Sequence, residues 1–305
     1  MKLSNTAQLK HNTLVCALPT PFLPETYSID FTALKKVIAA LIDASVDGLL
    51  AVGSTGEVHS LSINEQMQVI EKVASFAAEY TPSEQKRPKI WAGLFATHLL
   101  PAIQHMQRIE SLNVVDALLI ITPYYIKPSQ KELIYYYTTL ADKSSIPLYL
   151  YNNPGRTGVT LALDTITHLA KHPNIIGIKE SALTLERIQM LGKIPNFEFF
   201  CGNDDQIPLS IANGAKGAIS ALLPLAPQAF RVLCSLPYRE QQTPLNARAL
   251  AKLLDKLVSY ANPQLLKTLG AEMGLMHPTL RPPLLPYNLL EEKAIKALLN
   301  DLLQL

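Results

Sequence analysis

The stretch IPLYLYNNPGRTGVTLALDTITHLAKHPNIIGIKE (residues 146–180) contains one complete strand–helix–strand unit. Its ends, IPLYLYN (146–152) and NIIGIKE (174–180), are apolar runs with the length of buried parallel strands. The residues between them are predicted to form a helix. Parallel strands joined through a helix are the repeating unit of α/β folds.

The same unit recurs outward from this stretch in both directions. Eight apolar runs of strand length can be counted before residue 225, and amphipathic segments such as FTALKKVIAALIDA and KELIYYYTTLADK separate them. Eight units without a reversal predict an α/β fold of the closed (β/α)₈ TIM barrel type rather than an open sheet. The runs are LVCALPT (14–20), DGLLAVG (47–53), KIWAGLF (89–95), DALLIIT (116–122), IPLYLYN (146–152), NIIGIKE (174–180), FEFFCGN (197–203) and KGAISAL (216–222).

The pattern changes after the eighth run. PQAFRVLCSL, NARALAKLLDKLVSYA, QLLKTLGAEMGL and LLEEKAIKALLNDLLQL have helical spacing with no strand candidate between them, and breaks at Pro237, Pro244, Pro263 and PTLRPPLLP separate them. The sequence therefore predicts a catalytic barrel over residues 1–240 and a C-terminal helical extension over residues 241–305.

Composition excludes several classes of protein. The chain of 305 residues is 48% hydrophobic and 17% charged, which is typical of a well-buried globular protein. Its net charge of +2 has no basic stripe that would bind nucleic acid, and no apolar run reaches the length of a membrane span. Three cysteines without CxxC spacing argue against disulfides and structural zinc, so we expect a cytoplasmic protein.

Catalytic groups of barrel enzymes lie at the carboxyl ends of the strands, so Lys179 is the first candidate catalytic residue. This lysine ends the sixth run, on the same face as Gly177 and Ile175. Desolvation favours a neutral amine, which can attack a ketone and form a Schiff base. The alternative is a lysine that extends to solvent or pairs with Glu180.

The fifth run ends in Tyr151 and continues into NNPGRTG. A phenol beside Lys179 can relay protons to and from a carbinolamine, although a rim aromatic without a catalytic role is the alternative. Arg156 has the fork geometry that binds a substrate carboxylate, and the alternative is a solvated loop charge without a binding role.

The second run leads into GSTGE (53–57), whose glycines and hydroxyls precede a predicted helix. Amides at a helix N-terminus favour a carboxylate, although an ordinary capped turn has the same composition. Tyr124 and Tyr125 end the fourth run and are compatible with core, interface or catalytic roles. His168 and His172 are four residues apart on the predicted fifth helix, but no third ligand accompanies them, so we expect no metal site.

Taken together, four strand ends supply GSTGE, TPYY, YNNPGRTG and IKES in that order. The chain thereby resembles the dihydrodipicolinate synthase/N-acetylneuraminate lyase family over nearly its whole length. Further similarities are Thr20-Pro21, Gly202 and Asp204, GAIS at the eighth run, Asn262-Pro263 through Lys267, and LRPP in the tail. The resemblance implies a (β/α)₈ barrel with a C-terminal extension, commonly assembled as a tetramer of two tight dimers.

The resemblance also implies roles for individual residues. Lys179 corresponds to the Schiff-base lysine and Tyr151 to the proton-relay tyrosine. Ser54 corresponds to the hydroxyl that joins this tyrosine to a second one, and Tyr125 to that second tyrosine, which reaches across the tight dimer. Thr55 corresponds to the residue that holds the carboxylate of pyruvate.

Other positions bear on the substrate. Gly202 and Ile219 fall at the family's substrate-binding strand ends, and Arg156 resembles the arginine with which the synthases hold the carboxylate of L-aspartate 4-semialdehyde. The tail motif NPxxxK, residues 262–267, also resembles that of the synthase branch of the family. Ser54 and Asn203 depart from the usual synthase pattern, and Ser54 matches the lyases instead.

The resemblance therefore implies condensation of pyruvate with L-aspartate 4-semialdehyde in lysine and diaminopimelate biosynthesis, with neither a metal nor an organic cofactor. Two alternatives stay open. One is a pyruvate-dependent lyase of the same family that acts on N-acetylneuraminate or a 2-keto-3-deoxy sugar acid. The other is an inactive barrel that binds a keto acid.

Overall fold

The structure, a computed structural model, describes residues 12–235, 245–289 and 293–302. Eight parallel strands form a closed barrel in chain order, and β8 pairs with β1. The predicted (β/α)₈ barrel is thus confirmed, and each predicted run overlaps one strand. The strands are β1 Thr13–Ala17, β2 Gly48–Ala51, β3 Lys89–Leu94, β4 Ala117–Ile121, β5 Leu148–Asn152, β6 Ile175–Glu180, β7 Glu198–Cys201 and β8 Gly217–Ser220.

Helices follow the strands around the outside of the barrel. Two of them begin with a capping box, in which a serine side chain and a glutamate three residues later satisfy each other's backbone amides, at Ser62 and Ser129. The helices are α1 Phe31–Asp43, α2 Ile63–Tyr80, α3 Leu99–Ser111, α4 Gln130–Lys143, α5 Pro154–Thr157, α6 Leu163–Leu169, α7 Leu185–Leu191, α8 Ile207–Ala212, α9 Pro227–Ser235, α10 Leu245–Leu257, α11 Gln264–Glu272 and α12 Lys293–Leu302.

The barrel interior is a packed core. Trp91 stacks on Tyr149 with ring centres 4.1 Å apart, and Phe200 meets both rings edge-on. These aromatic side chains pack the barrel interior, and catalytic groups of barrel enzymes lie at the carboxyl ends of the strands.

Gly177 makes this packing possible in the middle of β6. A Cβ atom there would lie 2.3 Å from the carbonyl oxygen of Glu198 and 2.6 Å from the Tyr149 ring. The absence of a side chain at Gly177, two residues before Lys179 on β6, leaves room for the ring of Tyr149.

The tail is helical where the structure describes it, in α10, α11 and α12. The predicted boundary at residue 240, the predicted breaks at Pro237 and Pro244 and most of the first dozen residues lie outside the described residues. Among the described helices, none combines the length and apolar character needed to cross a bilayer.

Candidate active site

Lys179 lies at the carboxyl end of β6, where it pairs in register with Tyr151 on β5 and Phe200 on β7. Its side chain is 6% exposed, and its amine lies 4.6 Å from the centre of the Tyr151 ring. The predicted amine and phenol are therefore neighbours inside the barrel mouth.

Glu180, the next residue, points away from Lys179 because successive strand side chains alternate between faces. Its carboxylate accepts a hydrogen bond from Nε of Arg187 at 2.7 Å and one from Nδ2 of Asn152 at 2.7 Å. The alternative in which Glu180 pairs with Lys179 is therefore not what the structure shows.

The Tyr151 hydroxyl accepts a hydrogen bond from Nδ2 of Asn153 at 3.0 Å and also hydrogen-bonds Ser54. Burial alone would raise the pKa of this phenol, but the Lys179 ammonium and the hydrogen bonds from Asn153 and Ser54 outweigh burial. The net result is a pKa below the ordinary tyrosine value, which suits a group that gives up and recovers a proton.

The turn after β2 lies beside this pair. Thr55 is 6% exposed, and the carbonyl of Gly56 accepts a hydrogen bond from Oγ1 of Thr20 at 2.7 Å. A single 3₁₀ turn at Val58–Ser60 follows, preceded by Glu57 in the left-handed region with φ of 53°. The helix predicted after this turn, α2, begins at Ile63 after its N-cap Ser62.

A cavity of about 180 Å³ adjoins the Lys179–Tyr151 pair through Ser54. Arg156 contributes to its wall, and its Nη2 also donates to the carbonyl oxygen of Asn262 at 2.7 Å. Burial lowers the pKa of His59 in this wall. The cavity is lined by Ser54, Val58, His59, Phe95, Ile121, Tyr124, Arg156 and Thr157.

Two further predicted residues flank the mouth. A Cβ atom on Gly202 would lie 3.1 Å from Cε of Lys179 and 2.3 Å from Oγ of Ser181, so glycine leaves space beside the amine. Ile219 is fully buried in the cluster of side chains that fills the barrel interior.

Tyr125 lies apart from the other predicted residues. Its side chain is 90% exposed, and its backbone has φ of 70° in the left-handed region. Tyr124, by contrast, lines the cavity. Within a single subunit, the structure therefore brings Lys179, Tyr151 and Ser54 together but leaves Tyr125 facing outward.

The histidine pair was predicted on one helix, but α6 ends at Leu169 and His172 lies beyond it. His172 hydrogen-bonds the Asp142 carboxylate and the amide of Asn174, while His168 is exposed. In residues 12–235, 245–289 and 293–302, no group of three or more acidic, histidine or cysteine side chains is arranged to hold a metal ion.

Three residues that adjoin the site were given no part in the reaction by the sequence. Asn153 donates to the Tyr151 oxygen, and Phe95 meets the Tyr151 ring edge-on at 6.3 Å. Oδ2 of Asp204 accepts from the amide of Leu222 at 3.2 Å. Burial raises the pKa of Asp204 to about 6, although the Lys179 ammonium opposes the shift. Asn153 follows Tyr151 by two residues, whereas Phe95 and Asp204 reach the site only through folding, so strand and helix periodicity carry no signal for them.

Comparison with known proteins agrees with this geometry. A sequence model of the dihydrodipicolinate synthetase family matches residues 10–302. The 4-hydroxy-tetrahydrodipicolinate synthase of Leuconostoc citreum is 31% identical over 297 residues, covering 96% of this chain and 99% of the relative. That of Teredinibacter turnerae is 34% identical over 286 residues, covering 92% and 95%. The chain therefore belongs to the dihydrodipicolinate synthetase family.

Solved structures show the same similarity. A dihydrodipicolinate synthase from Acinetobacter baumannii, solved as a complex with pyruvate, superimposes with a TM-score of 0.87 at 33% identity and covers 96% of this chain and 99% of its own. The 4-hydroxy-tetrahydrodipicolinate synthase of Methylacidiphilum fumariolicum gives a TM-score of 0.86 at 30% identity, with 96% of each chain covered.

Proposed function

We propose that this chain is a 4-hydroxy-tetrahydrodipicolinate synthase, which condenses pyruvate with L-aspartate 4-semialdehyde in lysine and diaminopimelate biosynthesis. The observation that carries the proposal is the buried amine of Lys179, 4.6 Å from the centre of the Tyr151 ring at the barrel mouth. The relatives named above support the choice of reaction.

The reaction begins when the neutral amine of Lys179 attacks the C2 carbonyl carbon of pyruvate. Tyr151 protonates the resulting hydroxyl, which leaves as water to give the imine. Loss of a proton from the pyruvate methyl group gives an enamine, whose carbon attacks the aldehyde carbon of the second substrate. The amine of that substrate then attacks the imine carbon, which closes the ring and releases Lys179.

The residues around Lys179 support recognition of two carboxylates. We assign the pyruvate carboxylate to the amide and hydroxyl of Thr55, whose turn adjoins Tyr151 through Ser54. We assign the semialdehyde carboxylate to Arg156 in the cavity wall, because a guanidinium binds a carboxylate through two parallel hydrogen bonds. Gly202 leaves space beside the amine, and Ile219 supplies an apolar wall.

The proposal includes assembly of the chain into a dimer, and further into a tetramer of two tight dimers. Its support is Tyr125, which is 90% exposed although the family resemblance assigns it to a proton relay with Ser54 and Tyr151. A tyrosine from a second subunit would complete that relay. We also propose that the protein is located in the cytoplasm, because its three cysteines are buried and unpaired.

Trapping with borohydride tests the chemistry. Pyruvate and borohydride together convert an imine into a stable secondary amine, and peptide mapping by mass spectrometry locates it. We expect the adduct on Lys179 and none on this peptide in Lys179→Ala. An adduct on another residue, or equal labelling of both proteins, contradicts the mechanism.

Turnover then tests the second substrate. We expect condensation with L-aspartate 4-semialdehyde and no measurable cleavage of N-acetylneuraminate or a 2-keto-3-deoxy sugar acid. A trapped imine with turnover of a sugar acid alone would keep the Lys179 chemistry and replace the proposed substrate. A trapped imine without any turnover would indicate a keto-acid-binding barrel.

A further inference from the structure

Two motifs of the tail are not used by the proposed reaction, namely Asn262-Pro263 through Lys267 and the LRPP segment that contains Arg281. Lys267 lies on α11, and Arg281 lies in the irregular segment after that helix. Both residues contact the loop that follows β2, where each of them binds the carboxylate of Glu57.

Glu57 and Lys267 form a buried ion pair. Both side chains are inaccessible to solvent, and Nζ of Lys267 lies 2.5 Å from Oε1 of Glu57. The ammonium also donates to the carbonyl oxygen of Thr279 at 2.9 Å and lies 4.1 Å from the centre of the Phe22 ring. The other carboxylate oxygen, Oε2, accepts from the backbone amide of Arg281 at 3.2 Å.

A buried ion pair adds little net folding stability, because the cost of desolvating two charges cancels much of their attraction. Burial lowers the pKa of Lys267 to about 8, although the Glu57 carboxylate opposes the shift. Because burying both charges is costly, the main effect of the pair is on the segments of the chain that it joins.

The pair holds the active-site turn. Glu57 has a left-handed backbone, which is unfavourable for a residue that carries a Cβ atom. Its amide donates to the carbonyl oxygen of Ser54 at 3.1 Å, and the amide of Val58 donates to that of Gly53 at 3.3 Å. The side chain of Glu57 is therefore the anchor of the turn that carries Ser54 and Thr55.

The same part of the tail also contacts the opposite side of the mouth. The carbonyl oxygen of Asn262, just before α11, accepts from Nη2 of Arg156 at 2.7 Å. The two contacts, at Glu57 and at Arg156, connect α11 and the residue just before it with the loops after β2 and β5.

We infer that Lys267 is a positioning residue for the reaction: with the backbone amide of Arg281 it fixes the Glu57 carboxylate, and through it the Ser54 and Thr55 groups that face Tyr151 and pyruvate. This inference rests on the proposed function. It assigns the helical extension an indirect part in pyruvate binding, because neither Lys267 nor Arg281 touches the substrate.

Two variants separate positioning from folding. Lys267→Met removes the ammonium from the buried pair. The matched control is Arg231→Met on α9, where the guanidinium pairs with Asp47 at 2.9 Å and donates to the Asn12 carbonyl at 3.2 Å. Asp47 and Asn12 precede β2 and β1, so this ion pair lies at the far end of the barrel.

For each protein, the pyruvate concentration that gives half-maximal borohydride trapping on Lys179 is measured well below the midpoint of thermal unfolding. Both variants are expected to unfold at lower temperature. Only Lys267→Met should raise the half-saturating pyruvate concentration, by about tenfold or more, because small displacements of positioning groups have large effects.

A folded Lys267→Met protein with the wild-type pyruvate dependence would overturn the inference, and so would an equal rise in Arg231→Met. If Lys267→Met does not fold, Glu57→Gln takes its place in the trapping measurement, because it keeps the size of the side chain and removes its charge. A rise in the same direction supports the inference, and an unchanged value overturns it. Failure of the wild-type protein to form any adduct on Lys179 would instead contradict the proposed function.

Discussion

The amine of Lys179 lies over the ring of Tyr151, 4.6 Å from its centre, and the two residues are paired side by side on adjacent strands. This arrangement does more than bring a nucleophile near an acid. The Lys179 ammonium stabilises the phenolate form of Tyr151 and so helps to lower the pKa of this phenol.

Removing the phenolic hydroxyl should separate imine formation from turnover. In Tyr151→Phe we expect kcat to fall by about a hundredfold or more, because one positioned proton donor is lost. The ring that packs beside Lys179 remains, so borohydride should still trap an adduct on Lys179, more slowly. Steady-state kinetics and trapping rates measure the two effects. Wild-type kcat in this variant would remove Tyr151 from the proton relay.

Arg156 should affect the second substrate far more than the first. In Arg156→Ala we expect KM for the semialdehyde to rise by about ten- to a hundredfold, which corresponds to loss of a charge-assisted hydrogen bond. Trapping with pyruvate should change little, because Glu57 anchors the turn with Ser54 and Thr55 separately. Arg156→Lys keeps the charge without the fork and should be intermediate. Unchanged semialdehyde kinetics would favour a sugar-acid substrate.

The barrel and the Lys179–Tyr151 pair could be predicted from the sequence because they depend on local patterns. Strand alternation with a period of two places Lys179 and Gly177 on one face, and each of the eight predicted runs overlaps a strand. Closure of a parallel barrel then brings consecutive strand ends together. Hence Tyr151 could be assigned as the neighbour of Lys179 before any distance was known.

Contacts between distant segments could not be predicted in this way. Arg156 donates to Asn262, which is 106 residues away, and Glu57 pairs with Lys267 from the tail. Neither contact leaves a periodic signal, because it depends on where the extension packs. The end of α6 before His172 was missed for a different reason, since helical spacing alone does not define where a helix ends.

Tyr125 should act in the site of a neighbouring subunit. We expect sedimentation to give at least a dimer, and Tyr125→Phe to lower kcat. Mixing Tyr125→Phe with Lys179→Ala should then restore activity, because a mixed dimer has one site with both wild-type residues. Random exchange gives roughly a quarter of the wild-type sites in such a mixture. An active monomer, or no recovery after proven subunit exchange, would contradict this role.

His105 should make the fold sensitive to mild acid. Burial lowers its pKa to about 4 from 6.5, and nearby Arg108 adds to the effect. Between these values the unfolded chain binds a proton that the folded chain does not, so stability falls as pH decreases from about 6.5 to about 4. We expect His105→Leu to flatten this part of the profile. Urea unfolding across the same range measures it, and parallel profiles would refute the assignment.

Feedback inhibition by L-lysine should be weak or absent. In lysine-regulated members of the family, an asparagine and a glutamate shortly after the third strand hold the inhibitor at the dimer interface. Alignment on Gly93 brings Thr97 and Pro101 to these positions. The Thr97 hydroxyl hydrogen-bonds Nδ1 of its neighbour His98 at 2.8 Å, and proline has no side-chain acceptor.

Nearby groups are poor substitutes for the missing acceptor. The Glu57 carboxylate is fully buried and already paired with Lys267, so it does not reach an ammonium at the interface. Burial lowers the pKa of His59 below its ordinary value of 6.5, so near pH 7 the ring is neutral and offers an ammonium no opposite charge. Phe95 lies in the cavity wall and narrows the space available. Tyr124 is retained, but a single phenol does not compensate for a buried charge.

Burying an ammonium without a partner costs several kcal/mol, about enough to prevent binding at ordinary concentrations. The measurement is a coupled assay of the condensation, titrated with L-lysine and accompanied by calorimetry with L-lysine alone. We expect unchanged rates and no saturable heat at low millimolar L-lysine. Because Thr97→Glu introduces a carboxylate near the missing acceptor, it should increase any residual inhibition. Strong inhibition of the wild-type protein would show that other groups hold the inhibitor.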